Sequence, residues 1–390
     1  MSAFGNLLGV RLTLLAGIAP ALAPMDPRAI EALESFEAEV GPAGESGLRL
    51  VLDAGREGPA GTVTAPFIDD PRFQRGARIA AAVTLDVLPV PIFDGIVTQT
   101  QYLAGSGAAD GKLVILARDL THLMDREMRR RALPGMDESA AAAFLVAPYA
   151  SHGIAPLVIP PPVLDVPVPT DRVPVQTGTD LGHLRMMAAR YGAVVGLAPG
   201  PVPGTSQLYM GPLPMPGPPQ KALSVNMGAV SDTTEVTVTH DGETLLSVSG
   251  QVADRQTGAT LPVMAPLPLR PPLGALPDAI TRAGQTRVGM PLTSGLTAMQ
   301  AQGRAQGAVD AANARALTVT ARVDVASYGA LVRPFGTIAI RGLGAPYGGA
   351  YAVRKVGHSL KDGRYLQTVT LTRGELYPLV PAVPPETEVV

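Results

Sequence analysis

The chain of 390 residues contains no cysteine and no tryptophan. Without cysteine, disulfides and thiolate metal sites are excluded, an absence that fits a cytoplasmic protein. Aromatic residues amount to only 4%, nine Tyr and seven Phe, which argues against an aromatic platform for stacking on sugar rings. Charge is scarce too: 16% of residues, against roughly a quarter in ordinary globular domains. Much of the surface is therefore neutral, which suits a subunit that buries its outside in an assembly; a compositional bias toward Ala and Pro gives the same figure. The net charge is −2, so no basic excess draws the chain to nucleic acid or to acidic lipid, and neither is expected as a partner. The uncharged stretch from Leu12 to Met25 is too short to span a bilayer. It contains Ala21-Leu22-Ala23, which resembles a signal-cleavage triplet, but no basic residue precedes Arg11 and Pro20 interrupts the apolar run. It reads as a first strand, with Leu12 and Leu14 on one face, followed by a loop.

Chemical motifs are missing as well. There is no Gly-x-Ser-x-Gly elbow, no His-Glu-x-x-His, no phosphate-binding loop and no Gly-x-Gly-x-x-Gly. The histidines, His122, His152, His183, His240 and His358, stand apart, and none is spaced to share a metal. Asp69–Asp70 reads as a solvated loop pair. His358, read as lying between two strands, has no nucleophile tied to it by motif. No catalytic residue, cofactor ligand or metal ligand is expected, and the chain is read as a non-enzyme.

What is present is punctuation and alternation. With 43 glycines and 39 prolines, the chain is rich in turns and short of long helices. Near the carboxy terminus, Leu317, Val319, Ala321, Val323 and Val325 alternate with Thr318, Thr320, Arg322 and Asp324. Ile338 and Ile340, then Tyr351 and Val353, continue the pattern. Asp362–Gly363 is a tight-turn dipeptide, after which Tyr365, Gln367, Val369 and Leu371 face one way and Thr368, Thr370 and Thr372 the other. This predicts a four-stranded antiparallel meander. Strands are also expected at 36–40 and 48–52, and a hairpin joins 92–100 to 112–117, with Gly95 marking a bulge or a close approach beside Phe93. Val236 and Val238 are expected to pair with Leu246 and Val248 across Asp241–Gly242.

Three helices are expected. One opens at Asp119, buries Leu120, Leu123, Met124 and Met128, and ends in Arg129, Arg130 and Arg131, a solvated basic last turn or a phosphate contact. A second starts at Asp180, buries Leu181, Leu184, Ala188 and Tyr191, and stops at Gly192. An Ala-rich helix occupies 297–316. Pro-rich stretches at 148–175, 199–219 and 262–277 read as extended linkers.

The order of several segments resembles the baseplate hub family of contractile injection systems, which includes the late control protein D of contractile-tailed phages and the hub region of type VI secretion spike proteins. The segments are Pro91-Ile92-Phe93-Asp94-Gly95-Ile96-Val97, then Val114-Ile115-Leu116-Ala117-Arg118-Asp119, then the helix Thr179-Asp180-Leu181 through Arg190-Tyr191-Gly192, the Ala-rich helix, and Pro334-Phe335-Gly336-Thr337-Ile338 through Gly342-Leu343. Gly349-Ala350-Tyr351-Ala352-Val353, Val356-Gly357-His358-Ser359-Leu360 and Gly363-Arg364-Tyr365 close the series. Two features depart from the family: Phe335 separates Pro334 from Gly336, and residues 148–219 are unusually Pro-rich.

The resemblance implies a mainly β fold with an α+β insert: two tube-like antiparallel β-barrels, a peripheral α/β insert and an Ala-rich helix. The first barrel would span 1–120, the insert with its Pro-rich linkers 121–220, the second barrel 221–378 with helix 297–316 inserted, and a flexible tail 379–390. It further implies a homotrimer whose six barrels form a pseudo-sixfold ring, seating the inner tube protein on one face and a separate spike protein on the other, beside other baseplate subunits. Such a hub is assembled in the bacterial cytoplasm into a phage tail-like particle. Phe93, Gly95, Asp119, Asp180, Leu184, Tyr191, Gly192, Gly336, Gly342, Tyr351, His358 and Tyr365 are then structural or interface residues. The rival readings are a monomeric ligand- or carbohydrate-binding β protein and a cell-wall hydrolase carried by such a particle.

Overall fold

The computed structural model describes residues 10–55, 66–85, 88–107, 110–163, 166–170, 172–290 and 295–380. The expected flexible tail lies outside the described residues apart from Leu379 and Val380, which are exposed.

The amino-terminal part carries β1 (Arg11–Ile18), β2 (Ala23–Pro24), α1 (Pro27–Glu31), β3 (Leu33–Val40), β4 (Gly47–Asp53), β5 (Ala77–Thr84), β6 (Pro89–Leu103) and β7 (Lys112–Asp119). The strands lie in the order β3-β4-β7-β6-β5-β1-β2. Leu12 and Leu14 near one end of this path share a core with Phe36, Ala38 and Leu50 near the other. The sheet therefore curls around its own apolar interior, the geometry by which a β structure hides its faces. β5 is buried on both sides: Ile79, Ala81 and Val83 face this core, while Arg78 reaches the other way, to the carbonyls of His152 and Gly204.

The middle part holds α2 (Thr121–Met124), β8 (Arg129–Ala132), α3 (Glu138–Val146), β9 (Ile154–Val158), β10 (Val175–Gly178), α4 (Asp180–Arg190), β11 (Val194–Pro199) and β12 (Ser206–Gly211). The helix expected at Asp119 lasts a single turn. Arg129–Arg131 do not end it: they form β8, antiparallel to β10. One turn already buries Leu120 and Met124, and a waiting partner strand outweighs local propensity for the residues that follow. Within the Pro-rich stretch, β9 pairs in parallel with β12 at the edge of a three-stranded sheet, where a proline's missing N–H leaves no gap in the ladder. Helix α3 went unforeseen, although Asp137 caps it by accepting from the Ala140 N–H at 2.7 Å. Helix α4 is capped by the Thr179 hydroxyl, buries Leu181, Leu184 and Ala188, and is followed by Gly192 at φ 63°, as the residue spacing requires.

The carboxy-terminal part holds β13 (Gln220–Ser224), β14 (Thr233–His240), β15 (Leu246–Ala253), β16 (Thr260–Ala265), β17 (Gly274–Pro277), α5 (Asp278–Thr281), β18 (Arg287–Gly289), α6 (Ala298–Asn313), β19 (Leu317–Asp324), α7 (Val325–Tyr328), β20 (Thr337–Arg341), β21 (Gly349–Lys361), β22 (Arg364–Arg373) and β23 (Glu375–Pro378). The four expected strands of the terminal block are present, but they are not a meander. β19 lies beside β22, and β20 beside β21. The order β19-β22-β21-β20 is that of a Greek key, because α7 carries the chain away from β19 before β20 begins. The expected hairpin across Asp241–Gly242 does not form either. β14 pairs with β19, and β15 with β16 and β18. Asp241 instead accepts from the Glu243 N–H at 2.9 Å, turning the chain out of the large sheet. The small sheet entered there packs under α6, with Val248, Val252, Val263, Ala301, Ala305 and Val309 as its core. Thr297 and Gln300 close a reciprocal cap at the start of α6. More than a helix is thus inserted in the second block.

The two β blocks are not separate sheets. β21 pairs with β3 from Val356↔Val40 to Lys361↔Ser35, which makes one 13-stranded sheet: eleven strands run β14-β19-β22-β21-β3-β4-β7-β6-β5-β1-β2, and β20 and then β13 branch from β21. A second core, around Val319, Ile338, Tyr351, Val353 and Leu371, fills the carboxy-terminal half. The fold is mainly β, with an α/β unit set against one side of it.

Candidate assembly interface

Three buried contacts lock the middle part to the β halves. The first is an ion pair. Arg78 Nε and Nη2 donate to Asp94 Oδ1 and Oδ2 at 2.9 and 2.6 Å. The same guanidinium donates to the carbonyls of Pro20, His152 and Gly204 at 2.9, 2.8 and 2.9 Å. Both side chains are buried, so a bidentate pair with further acceptors is the arrangement that makes burial of the charges tolerable. The second is Phe335. It adopts φ 68°, is fully buried, and places its ring 6.1 Å from that of Tyr209 and against the bare Cα of Gly196. Its backbone N–H donates to Val353 and its carbonyl accepts from Met215, so both faces of the residue are committed. The third is at the end of α4, where Arg270 Nη2 donates to the carbonyls of Gly192 at 2.6 Å and Tyr191 at 3.3 Å, placing a cation on the negative helix end.

The residues singled out from the sequence are distributed through these supports. Phe93 is buried in the first core, and Gly95 leaves room for its ring, which a Cβ would meet at 2.8 Å. Asp119 ends β7 and accepts from the Thr121 N–H at 3.2 Å; burial raises its pKa, against the pull of the Thr121 hydrogen bonds. Asp180 is buried at the first turn of α4, accepting from Gln176 Nε2 at 2.7 Å, Tyr149 OH at 2.8 Å and Arg129 Nη1 at 3.0 Å. Leu184 and Tyr191 face inward on the same helix. Gly336 accepts from the Val353 N–H at 2.8 Å, and Gly342, at φ 89°, passes over the Val225 carbonyl. Tyr351 donates to the Tyr347 carbonyl at 2.6 Å, beneath the Arg373 guanidinium 4.4 Å from its ring centre; burial pushes its phenol up to about 12.

Of these residues, the structure joins His358 to Tyr365. His358 lies within β21 and not between strands. Its Nδ1 is 2.7 Å from the Tyr365 hydroxyl, and complete burial lowers its pKa to about 3. Sequence reasoning missed Arg78, Asp94, Phe335 and Arg270 as joints. A signal existed for the first two: a single opposite charge sits inside each of two apolar runs, Ala77–Val83 and Pro91–Val97. Phe335 offered none, since its left-handed backbone is set by tertiary contacts. Among the described residues no cluster of three or more His, Asp or Glu side chains is placed to hold a metal ion, and no helix is long and apolar enough to cross a membrane.

On the outside, the joint between the middle part and the α6 unit carries an apolar groove. Pro162, Val163, Leu261 and Met299 line it. Leu269 and Met299 are 75% and 68% exposed. A contiguous apolar patch of this kind is characteristic of interaction surfaces.

Comparison with solved structures decides the architecture. A tail protein from Neisseria meningitidis MC58 superposes with a TM-score of 0.63, covering 93% of this chain and 96% of that one at 13% identity. The chain has the fold of phage tail proteins. The 43 kDa tail protein of prophage MuSo2 from Shewanella oneidensis shares this tail-protein fold, with a TM-score of 0.61, 93% and 98% coverage and 11% identity. So does the Escherichia coli c3393 protein, a type VI secretion system component described as similar to the T4 tail proteins gp27 and gp5, with a TM-score of 0.50, 94% and 79% coverage and 10% identity. No family model matches the sequence, and no curated protein matches it. The likeness to tail proteins is therefore one of fold, at 10–13% identity.

Proposed function

We propose that the chain is the baseplate hub of a contractile injection system: a homotrimer whose paired β halves form a pseudo-sixfold ring joining a hexameric inner tube to a separate trimeric spike, within a phage tail-like particle. The observation that carries this reading is the end-to-end match to the Neisseria tail protein, 93% of one chain on 96% of the other. The tail-protein fold extends over both β halves and the insert, with no large part left over for another task. The β3–β21 pairing supports it, since its ladder of hydrogen bonds makes the two halves one continuous sheet, as suits a ring subunit that must not hinge between its neighbours. The low charge density supports it too, because neutral surface is the cheaper surface to desolvate on assembly. The role is structural and involves no turnover.

The test is co-expression with the tube and spike proteins of the same particle, followed by mass measurement and imaging. A trimer seated between tube and spike is the expected result. A chain that stays monomeric at micromolar concentration, with particles assembling normally in its absence, overturns the reading.

A further inference from the structure

Residues 266–273, Pro-Leu-Pro-Leu-Arg-Pro-Pro-Leu, run from the end of β16 to the start of β17 as a strap across the seam between the middle part and the α6 unit. Four of the eight are proline and have no N–H to give. Five are exposed and none is buried. Two of its three leucines, Leu267 and Leu269, are 38% and 75% exposed. The strap belongs to no sheet or helix, and none of its residues makes a backbone-to-backbone hydrogen bond.

Side chains hold it instead. On α6, Gln306 Nε2 donates to the Leu267 carbonyl at 2.9 Å, and one turn further Asp310 Oδ1 accepts from the Leu269 N–H at 2.8 Å. Glu375 Oε2 accepts from the Leu273 N–H at 3.3 Å. The strap roofs a cavity of about 50 Å³ whose walls include four charged residues, Arg270, Asp310, Arg373 and Glu375. Its one inward anchor is Arg270, which donates to the Gly192 and Tyr191 carbonyls. Asp310 Oδ2 lies 3.8 Å from Arg270 Nε, and burial lowers the pKa of Arg270 against the pull of that carboxylate. The guanidinium is thus hydrogen-bonded but not closely paired, and lost hydration opposes its burial. The flanking strands are held differently, β16 by its ladder to β15 and β17 by its ladder to β23.

We propose that the strap is a releasable latch: residues 266–273 open as one local unit while β16 and β17 stay paired, withdrawing Arg270 from the end of α4 and uncovering the cavity beneath. A segment with few apolar contacts and hydrogen bonds near solvent lies at the low end of a fold's local stabilities. The prolines stiffen it, so that it lifts as a piece and does not fray residue by residue. Of the contacts that join the middle part to the rest, the one through Arg270 is then the one that can be undone without unfolding. The assignment does not depend on the hub reading.

Because the chain has no cysteine, a single introduced thiol reports its own exposure. Ala352 lies in the cavity wall under the strap and is 3% exposed; Ala321, 1% exposed in the core of the carboxy-terminal half, is the reference. Ala352→Cys and Ala321→Cys chains are labelled with a thiol reagent across low urea concentrations. The Ala352→Cys thiol is expected to react about a hundredfold faster or more, at a rate that urea leaves nearly unchanged, as local opening requires. Adding Asp310→Ala, which removes the acceptor of the Leu269 N–H, should speed it by about tenfold and speed the reference far less. Equal rates for the two thiols with equal urea dependence overturn the proposal, because opening is then global. So does an Asp310→Ala effect of the same size on both. Should Ala352→Cys not fold, hydrogen exchange of the parent decides: Leu269 and Leu273 amides as protected as those in the middle of α6 overturn the latch, and amides exchanging about a hundredfold faster support it.

Discussion

Gly192 and Gly307 touch backbone to backbone. Gly192 ends α4 and Gly307 lies within α6, and neither has room for a side chain: a Cβ on Gly307 would meet the Tyr191 Cα at 2.5 Å, and one on Gly192 would meet the Ala311 Cβ at 2.9 Å and the Gly307 carbonyl closer still. The middle part and the α6 unit are thus set against each other with no room for a side chain between them at this point, and Arg270 clamps the joint. Gly307→Ala should force the helices apart and lower stability by about 1–3 kcal/mol. Denaturant unfolding measures it. An unchanged midpoint would mean that the two units do not touch there.

Phe335 makes a complementary prediction. Phe335→Ala empties the space against Tyr209 and Gly196 and should cost about 3–5 kcal/mol. The left-handed backbone then sets an unusual order between two small residues. Glycine tolerates φ 68°, whereas alanine is strained there by roughly 1–2 kcal/mol, so Phe335→Gly should be at least as stable as Phe335→Ala. Thermal unfolding of the two variants decides it; a clearly less stable glycine variant would show that the residue does not hold this conformation.

Much of the terminal block was legible because its information is local. Asp362 and Gly363 both take positive φ, 48° and 76°, as a two-residue hairpin turn demands, and the alternation from Tyr365 to Leu371 marks the buried face. Alternation tells which face is buried but not which strand lies alongside. That is why β14 was assigned to the wrong neighbour and β19–β22 were read as a meander. The basic run Arg129–Arg131 was misread for the same reason: its conformation is decided by β10, more than forty residues away in sequence. The joints at Phe335 and at Gly192–Gly307 depend on contacts between parts of the chain far apart in sequence, and no single segment announces them.

The Arg78–Asp94 pair tests how the insert is held. Arg78→Met leaves a buried carboxylate unpaired and should cost about 3–5 kcal/mol. Adding Asp94→Leu removes the stranded charge and should restore a large part of the loss, leaving the carbonyls of Pro20, His152 and Gly204 without their donor. The double-mutant cycle reads this coupling. Additive effects of the two substitutions would contradict the paired geometry.

His358 makes stability depend on pH in a defined direction. Burial lowers its pKa from 6.5 to about 3. Below pH 6.5 the unfolded chain takes up a proton that the native chain refuses until the pH nears 3. The unfolded state therefore binds more protons in this window, and stability falls as the pH falls, by up to about 1.4 kcal/mol per pH unit from this group. Above pH 6.5 both states are neutral and the contribution is flat. His183, also lowered by burial, adds to the same limb. His358→Gln removes one titrating group, so its stability between pH 6 and 4.5 should decline less steeply than the parent's by about one proton's slope. Urea unfolding at a series of pH values measures both curves. Parallel curves would mean that the imidazole takes up its proton in the folded chain as readily as in the unfolded one, and would contradict its burial as a neutral group beside Tyr365.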